Sequence, residues 1–261
     1  MHSPGSGIRI RLSPARKMAV ELLHHACKVP TVPVARVMNL NEVSGWRSQV
    51  SQPPSWTTLF IRAYGIVCKH HNELRRAFIP WLTPHLYEHP HSVCALIVER
   101  EWQNEPILLG AKIRAPEETT LHAIGQHIRR YKESPLREIG DFRQALRIGS
   151  LPGFLRRFVF WQTLYLSGAK RAKRFGTFMV SSYGSLGAEQ IHPLAPFTTL
   201  LTFGPISTHG DVVVKVIYDH RVMDGRTVAR ALHHLDEVLH DEIVTELRGA
   251  AEPKPKPAQA A

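Results

Sequence analysis

The octet Tyr218-Asp219-His220-Arg221-Val222-Met223-Asp224-Gly225 holds the side chains best able to do chemistry. An unperturbed imidazole titrates near neutrality, so His220 can both take and return a proton. The octet lies where a nearly continuous apolar run, residues 212–218, gives way to a helical pattern after Gly225. A histidine at such a strand exit rests on rigid backbone yet can face a cleft, and Asp224, four residues on, can lock the turn. That suits a general base. A lone His beside an Asp is also a common structural hydrogen-bond pair, so the octet alone leaves both readings open.

The elements that must hold the octet follow from periodicity. Val212, Val214, Val216 and Tyr218 alternate with Val213, Lys215 and Ile217, apolar on nearly both faces, as in a strand at the middle of a sheet. Residues 31–40, 92–98, 106–112, 177–182 and 198–203 read as further strands. Helices are expected over 14–27, 56–71 and 120–132. Another follows Gly225, where Val228, Leu232, Leu235, Leu239 and Val244 line one face. Helices and strands mix without strict βαβ alternation, so the expected class is α/β, a mixed sheet flanked by helices.

With 261 residues and 43% hydrophobic content the chain can bury a core without disulfides or metal. Thirty-three Lys+Arg against 22 Asp+Glu give a formal charge of +11, which raises three partners: nucleic acid, an anionic membrane surface, or a polyanionic small molecule. Cys27, Cys68 and Cys94 form no C-x-x-C pair, which fits a reducing, cytoplasmic setting. No apolar run is long enough to span a membrane. The expected organisation is a flexible start over 1–7, one catalytic domain over 8–249, and a disordered Pro/Lys/Ala tail over 250–261.

The octet resembles the D-H-R-x-x-D-G signature of the catalytic domain of dihydrolipoamide acyltransferases, the second component of 2-oxoacid dehydrogenase complexes. It is also similar to the H-H-x-x-x-D-G motif of chloramphenicol acetyltransferases, which share that fold. Asp219, His220, Arg221, Asp224 and Gly225 fill every fixed position of the first pattern. Further segments resemble the family in its order: Arg16-Lys17-Met18-Ala19, Val29-Pro30-Thr31-Val32, residues 176–184, and residues 195–204.

The resemblance implies a chloramphenicol acetyltransferase-like two-layer sandwich and an acyltransferase that uses a coenzyme A thioester. His220 matches the general base, and Ser181 the hydroxyl that donates to the tetrahedral oxyanion. Ser182 stands beside it where many relatives have Asn. Asp224 is implied to act structurally, paired with Arg16. Breaking one side of such a buried pair would cost on the order of 3–5 kcal/mol. The resemblance further implies a homotrimer, or a higher assembly of trimers, with sites at subunit boundaries. The sequence contains neither a lipoyl domain nor a subunit-binding domain, so no covalent lipoyl group is expected on this chain. The acceptor, a thiol, hydroxyl or amine, stays open, as does a carrier-protein partner. The alternative is a catalytically inactive scaffold or core component of a multienzyme assembly.

Residues 151–174 depart from the family pattern. They join Phe154, Phe158, Phe160, Trp161 and Tyr165 to basic clusters at Arg156, Arg157 and 170–174. Three readings stand: a membrane-surface helix, a wall for a long acyl chain, or a helix packed on the sheet with snorkelling basic ends. Of the histidine clusters only His85, His89 and His91 have ligand-like spacing, without a carboxylate or thiolate beside them, so no metal is expected. No nucleic-acid reader motif is present, and no nucleic-acid partner is expected.

Overall fold

The computed structural model describes residues 7–251 except residue 103. In chain order the elements are α1 (Pro14–Ala26), β1 (Thr31–Asn39), α2 (Asn41–Gln49), α3 (Trp56–His70), β2 (Arg76–Ile79), β3 (His85–Glu88), β4 (Val93–Trp102) and β5 (Glu105–Arg114). They continue as α4 (Leu121–Glu133), α5 (Gly140–Ser150), α6 (Gly153–Tyr165), α7 (Gly168–Phe175), β6 (Phe178–Ser181), β7 (Thr199–Phe203), β8 (Asp211–Asp219), α8 (Gly225–Val238) and α9 (Val244–Ala251).

Six strands form one sheet in the order β1-β8-β7-β6-β4-β5. The β4–β6 and β6–β7 pairs are parallel and the others antiparallel, so the sheet is mixed as expected. β8 sits between β1 and β7, and side chains pack on both of its faces: Val212, Val214, Val216 and Tyr218 enter the larger core, Ile217 the smaller. α3 is the axis of the larger core. Leu59, Phe60, Ala63, Tyr64 and Val67 are fully buried there, each worth roughly 1.5–3 kcal/mol for a large apolar side chain. On the opposite face Ala95, Met179, Phe197, Leu200 and Ile217 form a second cluster with Phe175.

Three elements lay outside the sequence reading: α2, the β2–β3 hairpin and α5. α2 carries a single buried residue, Val43, and α5 only Phe142 and Gly149, too little apolar periodicity to read. Residues 151–174 are two helices, α6 and α7, broken at Leu166 and Ser167, where the Ser167 side chain caps α7 through the Lys170 N–H. The expected termini, 1–7 and 250–261, lie almost wholly outside the described residues. At the C-terminal boundary the expectation is corrected, because α9 runs to Ala251.

Candidate active site

Chain geometry fixes β6 at its start. Gly176 has φ +99°, and a Cβ there would stand 2.7 Å from the Val93 carbonyl, so only glycine lets the chain turn from α7 into the sheet. Thr177 then stitches β6 to β4: its N–H donates to Val93 O (2.8 Å) and its hydroxyl accepts from Val93 N–H (2.9 Å). Four residues on, Ser181 ends the strand on the same face as Met179. Both line a cavity of about 450 Å³, with Ile97 and Leu108 from the β4–β5 hairpin, Ala19 from α1 and Phe160 from α6.

The neighbouring hydroxyl is differently employed. Ser182 donates to Phe203 O (2.7 Å) and accepts from Gly184 N–H (3.1 Å). Ser182 is committed to its turn, while Ser181 faces the cavity.

His220 follows β8 directly and is exposed. Its N–H donates to Pro30 O (3.0 Å), and its ring lies 5.5 Å from the Tyr218 ring. The preceding Asp219 is fully buried and gripped by Arg221, whose Nε donates to Oδ1 (2.9 Å) and Nη2 to Oδ2 (2.7 Å). The Arg221 N–H also donates to Oδ1 (3.0 Å), closing the turn around His220. The Arg221 guanidinium stacks over Phe78, 4.8 Å from the ring centre. Behind it lies buried Arg171, donating to Phe78 O and Pro196 O. Burial pulls the Arg171 pKa down to about 10, against the opposing charge of Asp219.

Asp224 corrects one expectation. It is exposed and caps α8, its carboxylate accepting from the Thr227 N–H (2.9 Å), and that bond holds its pKa below the usual carboxylate value. Arg16, also exposed, lines the cavity on α1. Among the described residues no ion pair joins the two. A buried Arg16–Asp224 pair is therefore absent from the single chain: both side chains are exposed, and the carboxylate serves as the cap of α8.

Nor does one chain bring Ser181 to His220. Ser181 aligns with Thr202, and Thr202 with Lys215, five residues before His220. At strand spacing that places the two about 17 Å apart along the strands and two strands apart. Residues that do stand beside Ser181 escaped the sequence reading. Lys215 pairs with Glu189, and Thr202 donates to Gln190 (3.2 Å), which also lines the cavity. A lysine interrupting an apolar central strand was the available signal for Lys215.

No group of three or more His, Cys, Asp or Glu placed to hold a metal occurs among the described residues. His85 and His89 instead engage the Thr83 and His91 carbonyls.

No family model and no curated protein matches the chain. Solved structures do match it. A truncated catalytic core of the 2-oxoacid dehydrogenase multienzyme complex from Thermoplasma acidophilum superposes with TM-score 0.65 at 14% identity, over 90% of this chain and 99% of that one. A dihydrolipoamide acetyltransferase of Azotobacter vinelandii gives 0.63 at 18% identity, over 92% and 93%. Its study concerned the catalytic role of a serine, a histidine, and an asparagine four residues past that histidine. The chain has the fold of these catalytic cores. Chloramphenicol acetyltransferase shares that fold more distantly, with TM-score 0.50 at 11% identity over 88% of this chain and 96% of that one. In this chain the octet runs from the end of the central strand β8 through the turn into the first residue of α8.

Proposed function

We propose that the protein is an acyltransferase that moves an acyl group between coenzyme A and a thiol, hydroxyl or amine acceptor. The observation that carries this reading is His220 itself: exposed at a strand exit, in a complete signature, on a turn clamped by the buried Asp219–Arg221 fork. His220 takes the acceptor's proton as that atom attacks the thioester carbonyl. The oxyanion of the tetrahedral adduct accepts a hydrogen bond from the Ser181 hydroxyl. The adduct then collapses: the carbon–sulfur bond breaks, and the imidazolium returns its proton to the departing thiolate.

Because Ser181 and His220 stand at opposite ends of the sheet, His220 of one copy works with Ser181 of the next in a homotrimer. The fold's likeness to a multienzyme catalytic core supports a cyclic assembly. Coenzyme A phosphates suit the chain's +11 charge. The apolar cavity at Ser181 favours acyl groups longer than acetyl. The chain's three free thiols, two of them buried, support a reducing cytoplasmic setting.

The test is thiol release from acyl-coenzyme A by co-expressed His220→Ala and Ser181→Ala chains. Each mutant alone is expected to be inactive or strongly impaired. In random mixed rings about a quarter of the boundaries regain both groups, so about a quarter of wild-type activity returns. Mixtures no more active than the single mutants would overturn the shared site. A fully active His220→Ala protein would overturn the chemistry.

A further inference from the structure

Residues 142–188 carry eight Lys or Arg and no Asp or Glu, so one stretch supplies most of the formal +11 charge. It folds into most of α5, then α6, α7 and β6. A helix at a water-facing surface normally turns its polar residues outward. α6 does the reverse: Phe154 is 74% exposed and Phe158 56%, one turn apart, with Leu155 and Arg157 exposed beside them. Its inner face already has a core, since Phe160, Thr163 and Leu164 are buried.

The apolar face continues beyond the helix. Trp161 stacks on Phe158 (6.1 Å between ring centres) and meets Trp81 edge-on (4.9 Å). Trp81 and Leu82 form the tip of the β2–β3 hairpin, and Leu82 is 86% exposed with φ +62°, a conformation a branched side chain resists. α7 packs against α6, β2 and β3, and presents Lys170, Lys173 and Arg174 at the surface. Carboxylates at its margin are already neutralised. Glu21 is buried against Arg156 and Arg157, Glu73 pairs with Arg76, and Glu88 pairs with both Arg76 and Arg75.

We propose that this face, built from α6, the β2–β3 tip and α7, docks on an anionic lipid bilayer. Phe154, Phe158, Trp81 and Leu82 enter the boundary between headgroups and acyl chains, while the surrounding cations meet lipid phosphates. No helix among the described residues is long and apolar enough to cross a membrane, so attachment is interfacial. Charge selects the occupant: a second copy related by a two-fold axis would set basic residues against basic residues, whereas an anionic surface neutralises the whole cluster. The proposal is independent of the acyltransferase reading.

The test is sedimentation of the full chain with vesicles of phosphatidylcholine alone and of phosphatidylcholine with about one third phosphatidylglycerol. Binding is expected to the anionic vesicles only, to weaken as salt rises, and to shift tryptophan emission to the blue. The double variant F154S/F158S should bind at least tenfold more weakly, since two of its anchoring side chains are gone. K170E/K173E should lose the preference for anionic lipid. Both pairs are exposed, so unchanged melting temperatures will verify the fold. Equal binding to both vesicle types, no binding, or wild-type binding by F154S/F158S would overturn the proposal. So would a fall in oligomer mass of F154S/F158S without lipid, which would assign the face to a second copy.

Discussion

Asp219 and Arg221 are joined by two parallel contacts of 2.9 and 2.7 Å around the residue between them, with the Asp219 carboxylate wholly removed from water. The fork spans His220, so the backbone carrying the imidazole is held by a charge pair and not by the imidazole's own contacts. Removing one partner strands a buried charge, which costs on the order of 3–5 kcal/mol. Asp219→Asn should therefore destabilise the protein strongly in urea melts. Arg221→Lys keeps a charge but loses the planar fork. It should retain the fold and lower kcat at least tenfold with KM nearly unchanged, because the imidazole loses its fixed position.

The two adjacent serines should separate cleanly. Ser181→Ala removes a donor from the cavity and is expected to lower kcat by about 10²–10³, with little change in melting temperature. Ser182→Ala deprives the Phe203 carbonyl and Gly184 N–H of their partner, which costs roughly 1 kcal/mol of stability. Its kcat should stay near wild type. A reversed pattern would move the oxyanion donor to Ser182.

Gly110 on β5 lines the cavity, and a Cβ built there meets nothing within 4 Å. Gly110→Leu can therefore fill space without displacing backbone. Thiol-release rates across acyl-coenzyme A donors of graded length should shift toward shorter chains. An unchanged profile would show that the acyl group lies elsewhere.

His25 of α1 is buried, stacked on Phe160 (5.9 Å), with Nδ1 3.0 Å from the Tyr165 hydroxyl. Burial, aided by the charge of Lys28, holds its pKa down at about 4 against an ordinary 6.5. Between those values the unfolded chain binds more protons than the folded one, so stability falls as pH drops through this window. The slope contributed by this residue is at most about 1.4 kcal/mol per pH unit, and it vanishes above pH 6.5. Melting curves at pH 7, 6 and 5 should show it, and His25→Leu should flatten them.

Much of this architecture is written in local pattern. The two-sided apolar run at 212–218 marked β8 as a central strand, and α3 and α8 followed from their apolar spacing. α5 escaped because its exposed face is long and only Phe142 and Gly149 are buried. Asp224 was legible as a turn residue, but its partner was not. Whether it meets Arg16 or caps α8 depends on where α1 lies in space, and the Thr227 N–H is nearer in the chain and already in place.

The sequence by itself singled out the candidate residues, His220 and Ser181 through their resemblance to a family signature, and it determined the strand that carries His220, since motif order and alternation are one-dimensional facts. Only the tertiary structure decided that Ser181, not Ser182, faces the cavity, and that it lies at the far end of the sheet from His220. It also decided that Phe160 turns inward while Phe154 and Phe158 face water. Period fixes which residues share a face. Which end of the sheet they reach, and which face finds a partner, depends on strand order and direction, set by contacts between segments far apart in the chain.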